Sequence, residues 1–141
     1  FNNLRKLKLR FNLKKLKIKI INHFPHNKIL NIYKSYDALI FPSLAEAFGF
    51  PVLEASINKL PIICSNLNVF KEIYKNGCFY FNPVDSHSIL NQINYFLLVE
   101  KNKINVKLKQ NYNKAQKLNL HYFGENYYQI IQNILNKNEK K

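Results

Sequence analysis

A chain of 141 residues and 16.8 kDa is long enough to bury one core, and 47% hydrophobic with 14% aromatic residues excludes a wholly disordered polypeptide despite a formal net charge of +14. Its two cysteines, Cys64 and Cys78, exclude a disulfide-rich scaffold and a thiolate zinc site, and predict reduced thiols in a cytosolic protein. No apolar run reaches the roughly 18–20 residues of a membrane span, and no apolar h-region opens the chain, so neither a span nor an export signal is predicted.

Residues 2–11 read as a helix on length and context, although Leu7, Leu9, Phe11 and Leu13 also alternate as a strand would. Leu16, Ile18, Ile20 and Ile21 alternate with lysines and form a short strand that ends in a turn at Asn22–Pro25. After Pro25, Ile29, Leu30, Ile32, Tyr33 and Tyr36 recur at helical spacing. Ala38–Phe41 is an uninterrupted apolar run closed by Pro42 and Ser43, the pattern of a parallel strand buried on both faces. The segment from Phe48 to Asn58 is helical, with Gly49 and Pro51 near its start, where the missing N–H of proline costs nothing. Pro61–Cys64 is the next strand, Val69–Tyr74 a short helix and Cys78–Phe81 a further strand. Asp85 or Ser86 caps a helix that runs to about Glu100, and two more helices, near 103–118 and 122–137, complete the chain. Alternation of strand and helix predicts an α/β class with a parallel sheet and right-handed crossovers, in one domain over 1–141.

The positive charge is unevenly placed. Residues 36–98 hold three lysines against five acidic residues, so the whole excess sits on the flanks. The basic opening, Leu4 to Ile21, is either a surface that meets a polyanion or an anionic membrane, or a solvated face that keeps the domain soluble. With arginine only at Arg5 and Arg10 and no nucleic-acid-binding signature, no nucleic-acid partner is predicted. The sequence has no methionine and opens on Phe1, which predicts a fragment whose beginning is missing.

The informative stretch is Phe41-Pro42-Ser43-Leu44-Ala45-Glu46-Ala47-Phe48-Gly49-Phe50-Pro51-Val52-Leu53-Glu54-Ala55. A strand that ends in a loop opening a helix presents free N–H groups and a positive dipole end to an anion, beyond the carboxyl end of a parallel strand. This stretch resembles the P-S-x-x-E-G-F-G-x-P-x-x-E-A signature of retaining glycosyltransferases of family 4, with Glu46 and Glu54 as the family's E-x7-E pair. Pro61-Ile62-Ile63, Glu72 and Asn82-Pro83-Val84-Asp85 continue the likeness over nearly the whole chain. The resemblance implies a Rossmann-like parallel sheet flanked by helices, as the C-terminal, nucleotide-sugar-binding half of a GT-B enzyme. It also implies that the last helices, about 103–137, pack back toward the absent half.

On the same resemblance, the enzyme transfers a sugar from a nucleoside-diphosphate sugar to a glycan or lipid acceptor with retention of configuration. It works in the cytoplasm or peripherally at the membrane face, with no metal and no cofactor beyond the donor. Glu46 is the candidate catalytic residue, contacting hydroxyls of the donor sugar; Glu54 grips the ribose. Ser43, Phe48, Gly49, Phe50 and Pro51 complete the donor-binding set, with the main-chain N–H groups near Gly49 and Phe50 facing the diphosphate and Gly49 letting it approach. The side chains of Phe48, Phe50, Val52 and Leu53 read as packing residues. His23 and His26 border the first turn, His87 and His121 begin helices, and none sits at metal-ligand spacing. Glu72 is expected to cap or orient its short helix, or to line the cleft wall.

Ala47 stands where the signature most often has glycine and is compatible with a negative φ. Lys59 aligns with a family glycine; a left-handed backbone there costs on the order of 1 kcal/mol. The family's diphosphate-binding Arg and Lys fall upstream of Phe1, and Arg5 and Lys28 do not stand in for them. As it stands, the fragment is expected to bind donor weakly and to turn nothing over. The competing reading is a noncatalytic basic module that holds polyanions or an anionic membrane surface.

Overall fold

The computed structural model describes residues 25–118 together with the helical residues 125, 128, 129, 131, 132 and 136. The expected helix over 2–11, the strand over 16–21, His23 and His121 lie outside the described residues. Eight elements follow in order: α1 (His26–Tyr33), β1 (Leu39–Phe41), α2 (Phe50–Ile57), β2 (Ile62–Ser65), α3 (Asn68–Tyr74), β3 (Phe79–Phe81), α4 (Ser86–Leu98) and α5 (Lys101–Lys117). The strands form a parallel sheet in the order β1-β2-β3, with Leu39 opposite Ile62, Cys64 opposite Phe41 and Tyr80, and Ser65 opposite Phe81. The expected α/β class and Rossmann-like parallel arrangement are present.

Alternation along the strands divides the core in two. Ile62 and Cys64 face one layer, where Tyr33, Val52, Ala55, Leu60, Phe70 and Tyr74 are buried. Ile63, Phe79 and Phe81 face the other, against Ile89, Ile93 and Phe96 of α4, with the rings of Phe79 and Phe96 meeting edge to face at 5.4 Å. β2 is therefore buried throughout. β1 departs from the expectation of burial on both faces: Leu39 and Phe41 are half-buried, but Ile40 is 45% exposed. α4 packs against β3.

The chain obeys local rules at most element boundaries. α1 stops at Tyr33, three residues short of Tyr36, where the Ser35 hydroxyl donates to the Asn31 carbonyl at 3.0 Å and closes the last turn. Asp85 is the N-cap of α4 and accepts from the His87 N–H at 2.9 Å, while Asn82 folds the preceding turn by accepting from the Val84 N–H at 3.2 Å. Glu72 lies exposed inside α3 and caps neither end. Lys59 has φ 53°, the left-handed conformation its alignment with a glycine implies, and its ammonium sits 4.5 Å from the centre of the Tyr112 ring on α5. That cation–π contact, roughly 0.5–1 kcal/mol at an exposed site, offsets part of the backbone cost.

α5 packs on α2 and α3. Its buried Asn111 donates through Nδ2 to the Gly77 carbonyl at 2.9 Å, and a Cβ on Gly77 would lie 1.7 Å from Asn111 Oδ1. Lys107 donates to the carbonyls of Asn76 and Cys78 and stacks on Phe79, and burial pulls its ammonium below the usual lysine range. Two lines of side-chain bonding thus fasten α5 to the turn that enters β3.

Cys64 and Cys78 are both buried and unbridged, and a hydrogen bond with Cys78 together with burial pushes the Cys64 thiol well up from its ordinary value. Both cysteines are accordingly expected to resist a thiol-reactive aryl disulfide in the native protein and to react in denaturant. Rapid native labelling of either would contradict this packing.

Candidate functional site

The carboxyl ends of parallel strands share one edge of the sheet, and the loop from β1 to α2, residues 42–49, opens there. Two prolines frame it: Pro42 ends β1, and Pro51 lies in the first turn of α2, where a helix has no use for its N–H. Gly49 is the N-cap of α2 with φ 81°. Its carbonyl accepts from the Val52 N–H at 2.9 Å and the Leu53 N–H at 3.3 Å, so the first intrahelical bonds are made. The Phe50 N–H, at the first helical position, has no acceptor within the helix.

Glycine at position 49 also has a reason in the core. A Cβ there would lie 2.4 Å from Cε1 of Phe70, a fully buried ring on α3 that meets Phe41 of β1 edge to face at 6.0 Å. Gly49 is thus required both by its left-handed backbone and by close approach of its Cα to an aromatic ring. The Tyr80 hydroxyl donates to the Phe70 carbonyl at 3.1 Å, which ties this contact to β3.

The two glutamates are held separately. Glu46 lies in the loop, half-buried, with Oε1 3.1 Å from the Ser43 hydroxyl, which also lies 2.9 Å from the Ala45 carbonyl. Glu54 lies in α2; Tyr33 at the end of α1 donates its phenol to Oε2 at 3.0 Å. Burial, then hydrogen bonding and charge from Glu54, push the Tyr33 phenol up, so it stays a donor at neutral pH. The Glu54 carbonyl accepts from the Asn58 N–H at 3.1 Å and from its side-chain amide at 2.8 Å, closing α2 behind the carboxylate. Each carboxylate therefore has an internal hydroxyl partner and retains acceptor capacity.

Among the other expected site residues, Phe48 and Phe50 bring their rings to 5.2 Å, but Phe50 is 66% exposed, so it does not fill the core as expected of a packing residue. Val52 and Leu53 are buried. Ala47 is not among the residues with positive φ. His87 is exposed beside Asp85. Among the described residues, no cluster of three or more His, Cys, Asp or Glu is placed to hold a metal ion, and no helix is long and apolar enough to cross a membrane. The residue that sequence reading missed is Tyr33: helical spacing marked it as apolar, and nothing local linked its hydroxyl to a carboxylate 21 positions away.

A parallel α/β domain with a strand-to-helix loop at the carboxyl ends of its strands has a Rossmann-like architecture, and in open sheets of this kind ligands bind at that edge. Residues 1–119 match the family described as glycosyl transferases group 1, and the chain belongs to that family. It is 36% identical over 72 residues to the O-antigen chain mannosyltransferase RfbU of Salmonella typhimurium, a match that spans 51% of this chain and 20% of that protein. Over 54 residues it is 43% identical to the serotype-specific mannosyltransferase WbdA of Escherichia coli, spanning 38% of this chain and 7% of WbdA. The fold matches sucrose-phosphate synthase from Thermosynechococcus elongatus with a TM-score of 0.76 and 18% identity, over 96% of this chain and 34% of that one. The chain thus spans about a fifth of the length of RfbU and a smaller share of WbdA.

Replacing Gly49 by alanine should destabilise the domain by roughly 2–5 kcal/mol, the sum of left-handed strain and overpacking, as read by urea denaturation. Phe70→Leu in the same background should return part of that loss. A parent-like unfolding midpoint in Gly49→Ala would refute the contact.

Proposed function

We propose that this chain is the C-terminal, donor-binding half of a GT-B glycosyltransferase of the family 4 type, which transfers a sugar with retention of configuration to a glycan or lipid acceptor. The observation that carries the reading is the pair of glutamates, Glu46 in the β1–α2 loop and Glu54 in α2, each turned by an internal hydroxyl while keeping acceptor capacity. In this reading the donor is a nucleoside-diphosphate sugar, with mannose the first sugar to test because RfbU and WbdA are named as mannosyltransferases. No metal and no cofactor beyond the donor is invoked, and the reaction takes place in the cytoplasm or peripherally at the membrane face.

The proposed chemistry uses the chain's own groups. As the bond from the anomeric carbon to the diphosphate breaks and the acceptor oxygen bonds to that carbon, negative charge grows on the leaving diphosphate, which takes up the proton that the acceptor hydroxyl gives up. The N–H groups of Gly49 and Phe50, at the positive end of α2, face that charge. Glu46, steadied by Ser43, accepts from hydroxyls of the transferred sugar and holds its anomeric carbon open to the acceptor on the face from which the diphosphate leaves. Glu54 accepts from the ribose hydroxyls, and Pro51 sets the first turn that carries it. Phe48 and Phe50 wall the entrance.

A basic module is the rival reading, favoured by one feature: α5 carries six lysines and no acidic residue. Of these, Lys114 joins Lys75, Asn76 and Gln110 around an open cavity of about 360 Å³. Titration with UDP, GDP and ADP at fixed salt separates the two. The donor-site reading expects one nucleotide to bind selectively and Glu54→Ala to weaken it about 10- to 100-fold, the equivalent of roughly 1.5–3 kcal/mol for hydrogen bonds to a charged group. Equal binding of all three that collapses as salt rises would support the basic module instead.

A further inference from the structure

We propose that Tyr33 is a positioning residue for the nucleotide: its phenol fixes the Glu54 carboxylate so that the remaining lone pairs meet the ribose. This rests on the donor-site reading of Glu54. Tyr33 ends α1 and is only 7% exposed, with its ring packed in the cluster that holds Val52, Ala55 and Leu60. A ring held this way has little freedom to move its hydroxyl, and that hydroxyl donates to Glu54 Oε2 at 3.0 Å. The backbone of Glu54 is fixed independently by the two donors of Asn58.

The effect is one of preorganisation. A half-exposed glutamate loses rotamer freedom when it grips a ligand, and the loss weakens binding. Here Tyr33 imposes that order before the ligand arrives, by a bond to a carboxylate that is stronger than a neutral one. Oε2 keeps one lone pair and Oε1 keeps both, enough for two neighbouring hydroxyls.

A purely structural tie between α1 and α2 would behave differently, because its loss would lower the melting temperature and leave affinity alone. The test is Tyr33→Phe, which keeps the buried ring and removes only the hydroxyl, made in the intact protein that carries this sequence. Nucleoside-diphosphate affinity by calorimetry and Tm are read for Tyr33→Phe, Glu54→Ala and the double variant. Tyr33→Phe is expected to weaken binding about three- to tenfold, the range of one modest hydrogen bond, with a small change in Tm. In transfer assays the loss should fall on the donor KM and spare kcat. The weakening should vanish in the Glu54→Ala background, where nothing remains to be positioned. Parent-like affinity in Tyr33→Phe while Glu54→Ala binds poorly would overturn the role of Tyr33 and leave the donor site standing. An undiminished Tyr33→Phe effect in the Glu54→Ala background would overturn it as well. Parent-like affinity in both single variants would sink the donor site, and this inference with it.

Discussion

The contact between Gly49 and the ring of Phe70 sets the geometry of everything at the carboxyl edge of the sheet. Phe70 is fully buried, meets Phe41 edge to face and has its carbonyl held by Tyr80, so one residue of α3 touches β1 through its ring and is tied to β3 through its backbone. Only a residue without a Cβ fits against it at position 49, and that residue must also adopt φ 81° to turn the chain into α2. The direction of α2 follows, and with it the amides at its start and the place of Glu54. Packing in the core and presentation of the candidate site are therefore one constraint.

The same economy runs through the charged residues. Lys107 spends its ammonium on two carbonyls and an aromatic face, so part of the basicity of α5 is internal fastening. Lys59 uses its charge against Tyr112 while its backbone occupies a conformation that suits glycine. The carboxylates of Glu46 and Glu54 are turned by neutral hydroxyls, from Ser43 and Tyr33 respectively. A hydroxyl orients a carboxylate without neutralising it, which leaves the charge available to a ligand.

How much was legible follows from the range of each interaction. The α/β alternation, the parallel strands and the turn at Gly49 and Pro51 depend on neighbouring residues, and local pattern exposes them. The helix ends were nearly as legible, except that Tyr36 matched the helical period while the Ser35 hydroxyl closed the turn before it. Hydropathy could not separate Ile40 from Ile63, although the first is half-exposed and the second buried. Tyr33 with Glu54, and Asn111 with Gly77, are separated by 21 and 34 positions, and such pairs are set only when the helices pack. The motif reading gave Gly49 a reason in the ligand, and the contact with Phe70, set by packing at a distance, adds one in the core.

Membership in glycosyl transferases group 1 accounts for the parallel α/β sheet, and the proposed donor site gives the two oriented glutamates a chemical use. The most direct measurement is a crystal structure of the intact protein bound to its nucleoside diphosphate. The account predicts the ribose hydroxyls within hydrogen-bond distance of Glu54, with Tyr33 still on the other side of that carboxylate, and the diphosphate over the amides of Gly49 and Phe50. A nucleotide seated instead among Lys75 and Lys114, with Glu54 untouched, would contradict it.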